Sequence, residues 1–181
     1  MTAVRLRRLR DSEVETLVHV RIAEAGTMGQ PGPAPDPDAI RPGIRQRVAH
    51  SGEFHAGEIL LGIEADGRLV GEIQGRCPET ASPPGVFELG IGLFDLEDRG
   101  RGVGTRAVAL MTKRLFDDEG AHRVQAGTDL RNVAMRAVLE HLGFALEGVM
   151  RDFMPMDDGP HDYALYAITG PDYLKVKSQW T

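Results

Sequence analysis

A glycine-dense turn, Arg99-Gly100-Arg101-Gly102-Val103-Gly104-Thr105, constrains this chain more than any other stretch, because of what stands on either side of it. Before it runs an apolar segment, Val86-Phe87-Glu88-Leu89-Gly90-Ile91-Gly92-Leu93-Phe94. After it apolar residues recur at helical spacing through Val108, Met111, Leu115 and Phe116. The glycines therefore fall on a strand-to-helix turn. Such a turn directs free backbone N–H groups and the positive end of a helix dipole at one point, where an anion, and a phosphate best of all, is held. Gly102 and Gly104 allow close backbone approach, and Arg99 and Arg101 add positive charge. Gly-rich turns also serve as plain punctuation, so the context has to carry the reading.

That context is a second motif. Arg99-x-x-Gly102-x-Gly104 closely resembles the acetyl-coenzyme A pyrophosphate loop of the GCN5-related N-acetyltransferases (GNAT). Downstream, Asn132-Val133-Ala134-Met135-Arg136-Ala137-Val138-Leu139-Glu140-His141-Leu142-Gly143-Phe144 resembles the second signature of the same family, an Asn-initiated helix closed by Leu-Gly-Phe. The next segment, Glu147-Gly148-Val149-Met150-Arg151-Asp152, is similar to the branch that acetylates ribosomal-protein N-termini (RimJ/RimL-like) and to its amine- and antibiotic-modifying relatives. The likeness is firm over residues 86–152 and loose before them. It implies acetyl-CoA as co-substrate, held by Leu93 and Phe94 at the strand end, by Arg99, Gly100, Arg101, Gly102, Val103, Gly104 and Thr105 in the loop, and by Asn132. It also implies a protein N-terminus or small amine as acceptor, and a homodimer is among the expected states.

Length and charge agree with this reading. At 181 residues the chain is most simply one domain, residues 1–181, able to bury a sizeable core. A net charge of −6 argues against nonspecific nucleic-acid binding. The lone cysteine, Cys77, excludes an internal disulfide and suits a reducing compartment. Residues Met1 to Arg8 lack the apolar core of a signal peptide, and no apolar run approaches the ~20 residues that span a bilayer. A cytoplasmic, soluble protein without membrane partners is expected.

In chain order, Val4, Leu6 and Leu9 suggest a short first strand. Ser12-x-x-Glu15 resembles a capping box before a helix from about Asp11 to Ala25, with Val14, Leu17, Val18 and Ile22 at helical spacing. Residues 26–38, with Pro31, Pro33, Pro35 and Pro37, read as a long loop without regular structure, and a second helix is expected from about Ala39 to His50. Glu58 to Arg76 reads as a hairpin closed by Asp66-Gly67, the pair favoured in type I′ turns. Val124 and Ala126 mark a strand beyond the glycine loop, and Leu146–Met150 and Asp162–Ile168 mark two more. This is an α+β pattern: a GNAT-like mixed, mostly antiparallel sheet of six to seven strands flanked by helices.

Acetyl transfer from a thioester to an amine needs an anchor for the pyrophosphate, a donor to the carbonyl oxygen, a base for the amine and a fate for the thiolate. The loop is the anchor. Gly90 and Gly92, inside a strand, suggest a bulge or close ligand approach, and a backbone N–H there would be the donor. Glu88 is the candidate base, on the opposite parity from Leu89, Ile91 and Leu93. An acidic residue at its position is implicated as base, through water, in the ribosomal branch. A carboxylate would need burial or a relay to serve, and a structural hydrogen bond is the competing role for Glu88. Here the sequence departs from the family: the position usually tyrosine is Leu139, and the position often serine is Met135. Tyr163 and Tyr166 are the substitutes expected as proton donors, each also readable as a core aromatic. A thiol of pKa ~8.5 leaves readily, so a dedicated acid is dispensable in principle.

Other classes fit less well. A Rossmann site lacks its third glycine and its second βαβ half, and no Gly-Lys-Ser/Thr follows the turn as in a P-loop. His19, His50, His55, His122, His141 and His161 show no metal-ligand spacing, so no metal is expected. A noncatalytic acyl-CoA sensor or partner-binding module on the same fold is the second reading, given the missing tyrosine and serine. The resemblance implies that residues 26–38 cover the acceptor side of the cleft, where Asp36, Asp38, Asp152, Asp157 and Asp158 would form an acidic rim for a protonated amine.

Overall fold

The computed structural model describes residues 2–25, 33–78, 80 and 82–180. Seven strands form one sheet: β1 (Val4–Arg7), β2 (Glu58–Ala65), β3 (Arg68–Arg76), β4 (Val86–Leu93), β5 (Arg123–Asp129), β6 (Ala145–Met156) and β7 (Gly159–Thr169). Their spatial order is β1-β2-β3-β4-β5-β7-β6, and every neighbouring pair is antiparallel except β4 and β5. The helices are α1 (Val14–Glu24), α2 (Pro37–Ala49), α3 (Val103–Asp117), α4 (Val133–His141) and α5 (Gly170–Val176). This is the mixed, mostly antiparallel α+β sheet expected from the sequence.

Two apolar clusters lie on the two faces of the sheet. Under α3 and α4, Val103, Ala107, Val108, Met111 and Leu115 meet Ile59, Ile63, Ile73, Leu89, Val124 and Ile168. Those α3 positions recur every three to four residues, which is why one stripe of the helix is wholly buried. Gly75 sits beneath it, where a Cβ would come within 2.7 Å of Leu115 Cδ2, so β3 and α3 can approach only without a side chain there. On the opposite face Val14, Leu17, Val18, Ile44 and Val48 of α1 and α2 close over Leu60.

The Asp66-Gly67 hairpin turn forms as expected: both residues have positive φ, +50° and +82°, the type I′ signature. Several boundaries differ from the sequence reading. Leu9 lies outside β1 and is buried in the smaller cluster. The first helix opens with a 3₁₀ turn at Asp11–Glu13, and it is Glu13, not the Ser12/Glu15 pair, that caps it, accepting from the Arg10 N–H at 2.8 Å. Glu15 instead pairs with Arg41. The second helix starts at Pro37, because Asp36 accepts the Asp38 N–H at 3.0 Å and proline is tolerated at the first helical position. Residues 36–38 therefore belong to that helix start and not to a loop; residues 26–32 lie outside the described residues. The last two strands are longer than expected, and α5, anchored by Tyr173 stacked on Phe116 at 4.5 Å, was not foreseen.

Candidate active site

The parallel pair β4/β5 is registered only through Val86–Arg123, Phe87–Val124 and Glu88–Gln125. Beyond Glu88 the two strands diverge. Leu89, Gly90, Ile91 and Gly92 on one side and Ala126, Gly127, Thr128 and Asp129 on the other then line a cleft of about 920 Å³. Antiparallel pairing to β3 fixes which backbone groups face it. The Phe94 N–H donates to Val70 O at 2.9 Å, and because N–H direction alternates along a strand, Gly92 and Gly90 also face β3. The N–H groups of Ile91 and Leu93 therefore point to the open edge. The N–H groups left free on this strand are thus those of the odd-numbered neighbours and not of the two glycines.

The glycines have a different task. The β3/β4 register runs without a shift, so there is no bulge at Gly90 or Gly92. A Cβ on Gly90 would press on the Gln74 amide at 3.0 Å, and one on Gly92 would meet nothing nearer than Glu24 Oε1 at 3.8 Å. Both keep the cleft floor open. Leu93 turns its side chain into the main core, so only its N–H reaches the open edge, whereas Phe94 lines the cleft with its ring and has its N–H taken by Val70.

The glycine loop enters α3 directly. Gly100 and Gly102 take φ of +71° and +79°, the left-handed region that glycine adopts without a Cβ penalty, and Gly102 is the N-cap. The first intrahelical bond runs from Arg106 N to Gly102 O, which leaves the N–H groups of Val103, Gly104 and Thr105 without helical acceptors. No acidic residue stands in that turn, and a Cβ on Gly100, Gly102 or Gly104 would meet no protein atom within 4 Å. The loop is thus an open anion cradle on the segment that leaves the cleft-lining strand at Phe94, although none of residues 99–105 lines the cleft itself. Val103 contributes only its backbone, since its side chain is fully buried. Arg101 is less free than expected: its guanidinium reaches Asp98 and Asp66, each at 3.4 Å, and buried Asp98 also binds Arg68 at 3.2 Å. Among the described residues Arg99 has no carboxylate partner, so it carries the mobile charge. Asn132 caps α4 by accepting the Met135 N–H at 3.1 Å and also lines the cleft, where its amide NH₂ is the group left to offer.

Glu88 lines the cleft floor but is not buried, and among the described residues no side chain links it to a second base, so water is the one relay open to it. Its carboxylate pairs with Arg76 at 2.8 Å with the side chain 47% exposed. Tyr166 is a correction. It is fully buried, its hydroxyl donating to Glu140 at 2.6 Å and accepting from Arg136 at 3.2 Å, on the α4 side of the sheet. Neighbouring strand residues face opposite sides, so Tyr166 cannot share the cleft with Leu165 and Tyr163. Tyr166→Phe is expected to lower thermal stability by about 1 kcal/mol, the usual worth of one such hydroxyl, and to leave kcat unchanged; calorimetry beside steady-state kinetics checks both.

Tyr163 does line the cleft, next to Phe153 at 5.4 Å between ring centroids. Burial, and after it the charge of Asp129, pushes its phenol above the ordinary value of 10, so it stays protonated at neutral pH. Asp129 itself would be raised by burial, but the Arg131 N–H and His161 overcome this and hold it below 3.8. Leu139 is fully buried in the core and Met135 lines the cleft, so the family's usual acid positions offer no proton here.

Residues 3–145 match the family model described as acetyltransferase (GNAT) domain. The chain belongs to the GNAT acetyltransferase family. It is accordingly an acyltransferase. A curated relative, the probable N-acetyltransferase YjcK of Bacillus subtilis, is 30% identical over 129 residues, 71% of this chain and 68% of the relative. Among solved structures, Mycobacterium smegmatis RimJ in complex with CoA-disulfide superposes with TM-score 0.77 at 24% identity, over 98% of this chain and 87% of that one. The spermidine N-acetyltransferase of Vibrio cholerae, in complex with CoA and spermine, gives TM-score 0.78 at 15% identity, over 94% and 98%. At such identities the likeness is one of fold. Among the described residues no group of His, Cys, Asp and Glu could hold a metal, and no helix is long and apolar enough to cross a membrane.

Proposed function

We propose that this GNAT protein moves the acetyl group of acetyl-CoA to a primary amine, a protein N-terminus or a small amine, by direct attack within one ternary complex. The observation that carries the proposal is the splayed β4/β5 edge, which opens two backbone N–H groups on the strand that runs into the open cradle of Gly100–Gly104. The cradle suits a pyrophosphate: three free helix N–H groups, Arg99, and glycines over open space. The edge of Ile91 and Leu93 suits the amides and carbonyls of an extended acyl-carrying arm. Acetyl-CoA supplies an acyl group already activated as a thioester.

The chain's own residues then divide the work. The free edge N–H groups stabilise charge on the acyl oxygen, a contribution of about 3 kcal/mol where such donors have been removed elsewhere. Glu88 stands three residues from Ile91, about 10 Å along the strand, so it takes the amine proton through water. Tyr163, protonated in the cleft, is the donor available to the leaving sulfur. With one free, buried cysteine, Cys77, the protein suits a reducing, cytoplasmic setting. A sensor that binds without turnover is the second reading, favoured only by the absence of the family's usual acid at Leu139 and Met135. Thioester consumption with a panel of amines separates the two. Tyr163→Phe is expected to lower kcat about tenfold, at the weak end for proton transfer because the thiolate is a good leaving group, with the acetyl-CoA KM held within about threefold. An unchanged kcat would remove Tyr163 from the chemistry.

A further inference from the structure

The cleft states more about its acceptor than that it is an amine. Each carboxylate that lines it, among the described residues, touches a basic side chain, but the partners are shared: two glutamates divide one arginine, and His161 counts as a cation only when protonated, so the cleft keeps a negative surplus. Glu72 and Glu24 both bind Arg21, Glu88 binds Arg76 at 2.8 Å, and Asp129 binds His161 at 2.6 Å and Arg131 at 3.3 Å. Of the acidic rim expected from the sequence, Asp38 pairs with Arg41, Asp36 caps α2 and Asp158 pairs with Arg131 and His161, whereas Asp152 and Asp157 are exposed and, among the described residues, hold no ion pair. The charges alone therefore do not limit an acceptor to one ammonium group; a second one is disfavoured only where the acceptor's chain would lie on apolar surface, since a charge there loses its water.

The wall opposite α1 is of another kind. Met150, Phe153, Met154, Met156, Tyr163 and Leu165 line it, and Met135 adds another thioether from α4. Phe153 and Met154 are sequence neighbours and would face opposite sides of a regular strand. They share the cleft because the β6/β7 register slips between Met150 and Met154, so that Arg151, Asp152 and Phe153 oppose Asp162 alone. Asp152 takes φ of +50° at that slip, and its N–H is held by Asp162 at 2.9 Å. A non-glycine residue in the left-handed region costs free energy, which argues that the bulge is kept for what it positions: a half-exposed aromatic ring at the mouth. Methionines beside it adapt to varied apolar shapes.

Resting on the acetyltransferase reading above, we infer that the acceptor is a primary monoamine carried on an apolar body, its chain lying along the Met/Phe wall, and not a polyamine. The same chemistry is presented by a free alkyl- or arylalkylamine and by an N-terminal residue with an apolar side chain.

The test measures acetyl-CoA consumption by the full chain with n-alkylamines from propyl to octyl, phenylalkylamines, diamines of matching length, spermidine, and peptides beginning with Phe or with Lys. The expected result is a rise in kcat/KM of about fourfold per methylene along the alkylamines, as apolar burial dictates, and values at least about tenfold lower for each matching diamine. Preference for Phe-initiated peptide over every free amine would place the apolar body on a polypeptide; the reverse would make it a small molecule. Phe153→Ala, at a half-exposed site, should lower kcat/KM for phenylalkylamines about tenfold and leave the acetyl-CoA KM unchanged. A flat methylene series, or diamines and spermidine used as well as monoamines, overturns the inference and leaves acetyl transfer standing. Binding of acetyl-CoA with no transfer to any amine overturns both.

Discussion

Gly102→Asp abolishes coenzyme A binding in a protein that still folds. The open space above Gly102 is where a bound pyrophosphate would lie, and a carboxylate placed there meets the helix N–H groups first and repels the ligand's charge. The fold tolerates the change because no protein atom lies within 4 Å of the new Cβ and because aspartate enters the left-handed region at modest cost, about 1–2 kcal/mol. Gly104→Ala makes the test sharper. Gly104 already has helical geometry at the second position of α3, with nothing within 4 Å, so alanine should stabilise the helix by up to about 1 kcal/mol. If the open space belongs to the ligand, melting temperature and affinity move in opposite directions: the variant is more stable and binds coenzyme A more weakly. Titration calorimetry and thermal melts on both variants decide it. A folded Gly102→Asp protein with parental affinity would remove the loop from the donor site.

Glu88→Gln lowers kcat by about 10²-fold or more, while the acetyl-CoA KM stays within about threefold, since the substitution removes proton transfer and no donor contact. The glutamine is nearly isosteric and can still accept from Arg76, so packing is preserved. Water-mediated transfer adds a second expectation. Glu88→Asp retracts the carboxylate by one methylene, which a bridging water absorbs more easily than a direct contact would, so it should keep more than about a tenth of the parental kcat. A Glu88→Gln enzyme within a factor of three of the parent would assign Glu88 to its Arg76 ion pair and to structure alone.

Glu88 also marks where sequence reasoning ran out. Its place on a strand, and its parity against Leu89, Ile91 and Leu93, followed from alternation and hold in the fold. Its partner did not. Arg76 comes from the far end of a hairpin, and only the register of β3 against β4 brings the two together. The two tyrosines show the same division. Tyr163 and Tyr166 were equivalent candidates in sequence, yet their odd spacing sends one to the cleft and one to the core. Which face is which depends on where α4 docks, a contact between distant segments.

The sequence by itself determined the strand–glycine loop–helix unit, the Asp66-Gly67 hairpin, the cap at Asn132 and the family. Each is set by neighbours a few residues apart: positive φ at glycine, alternation along a strand, a side chain reaching the next turn. Tertiary structure alone decided that β7 enters the sheet between β5 and β6, that β4 and β5 part after Glu88, and that a slip at Asp152 brings the half-exposed Phe153 to the cleft. Those features belong to pairs of strands and not to either strand. The cleft they form between them therefore has no signature in any single stretch of the chain.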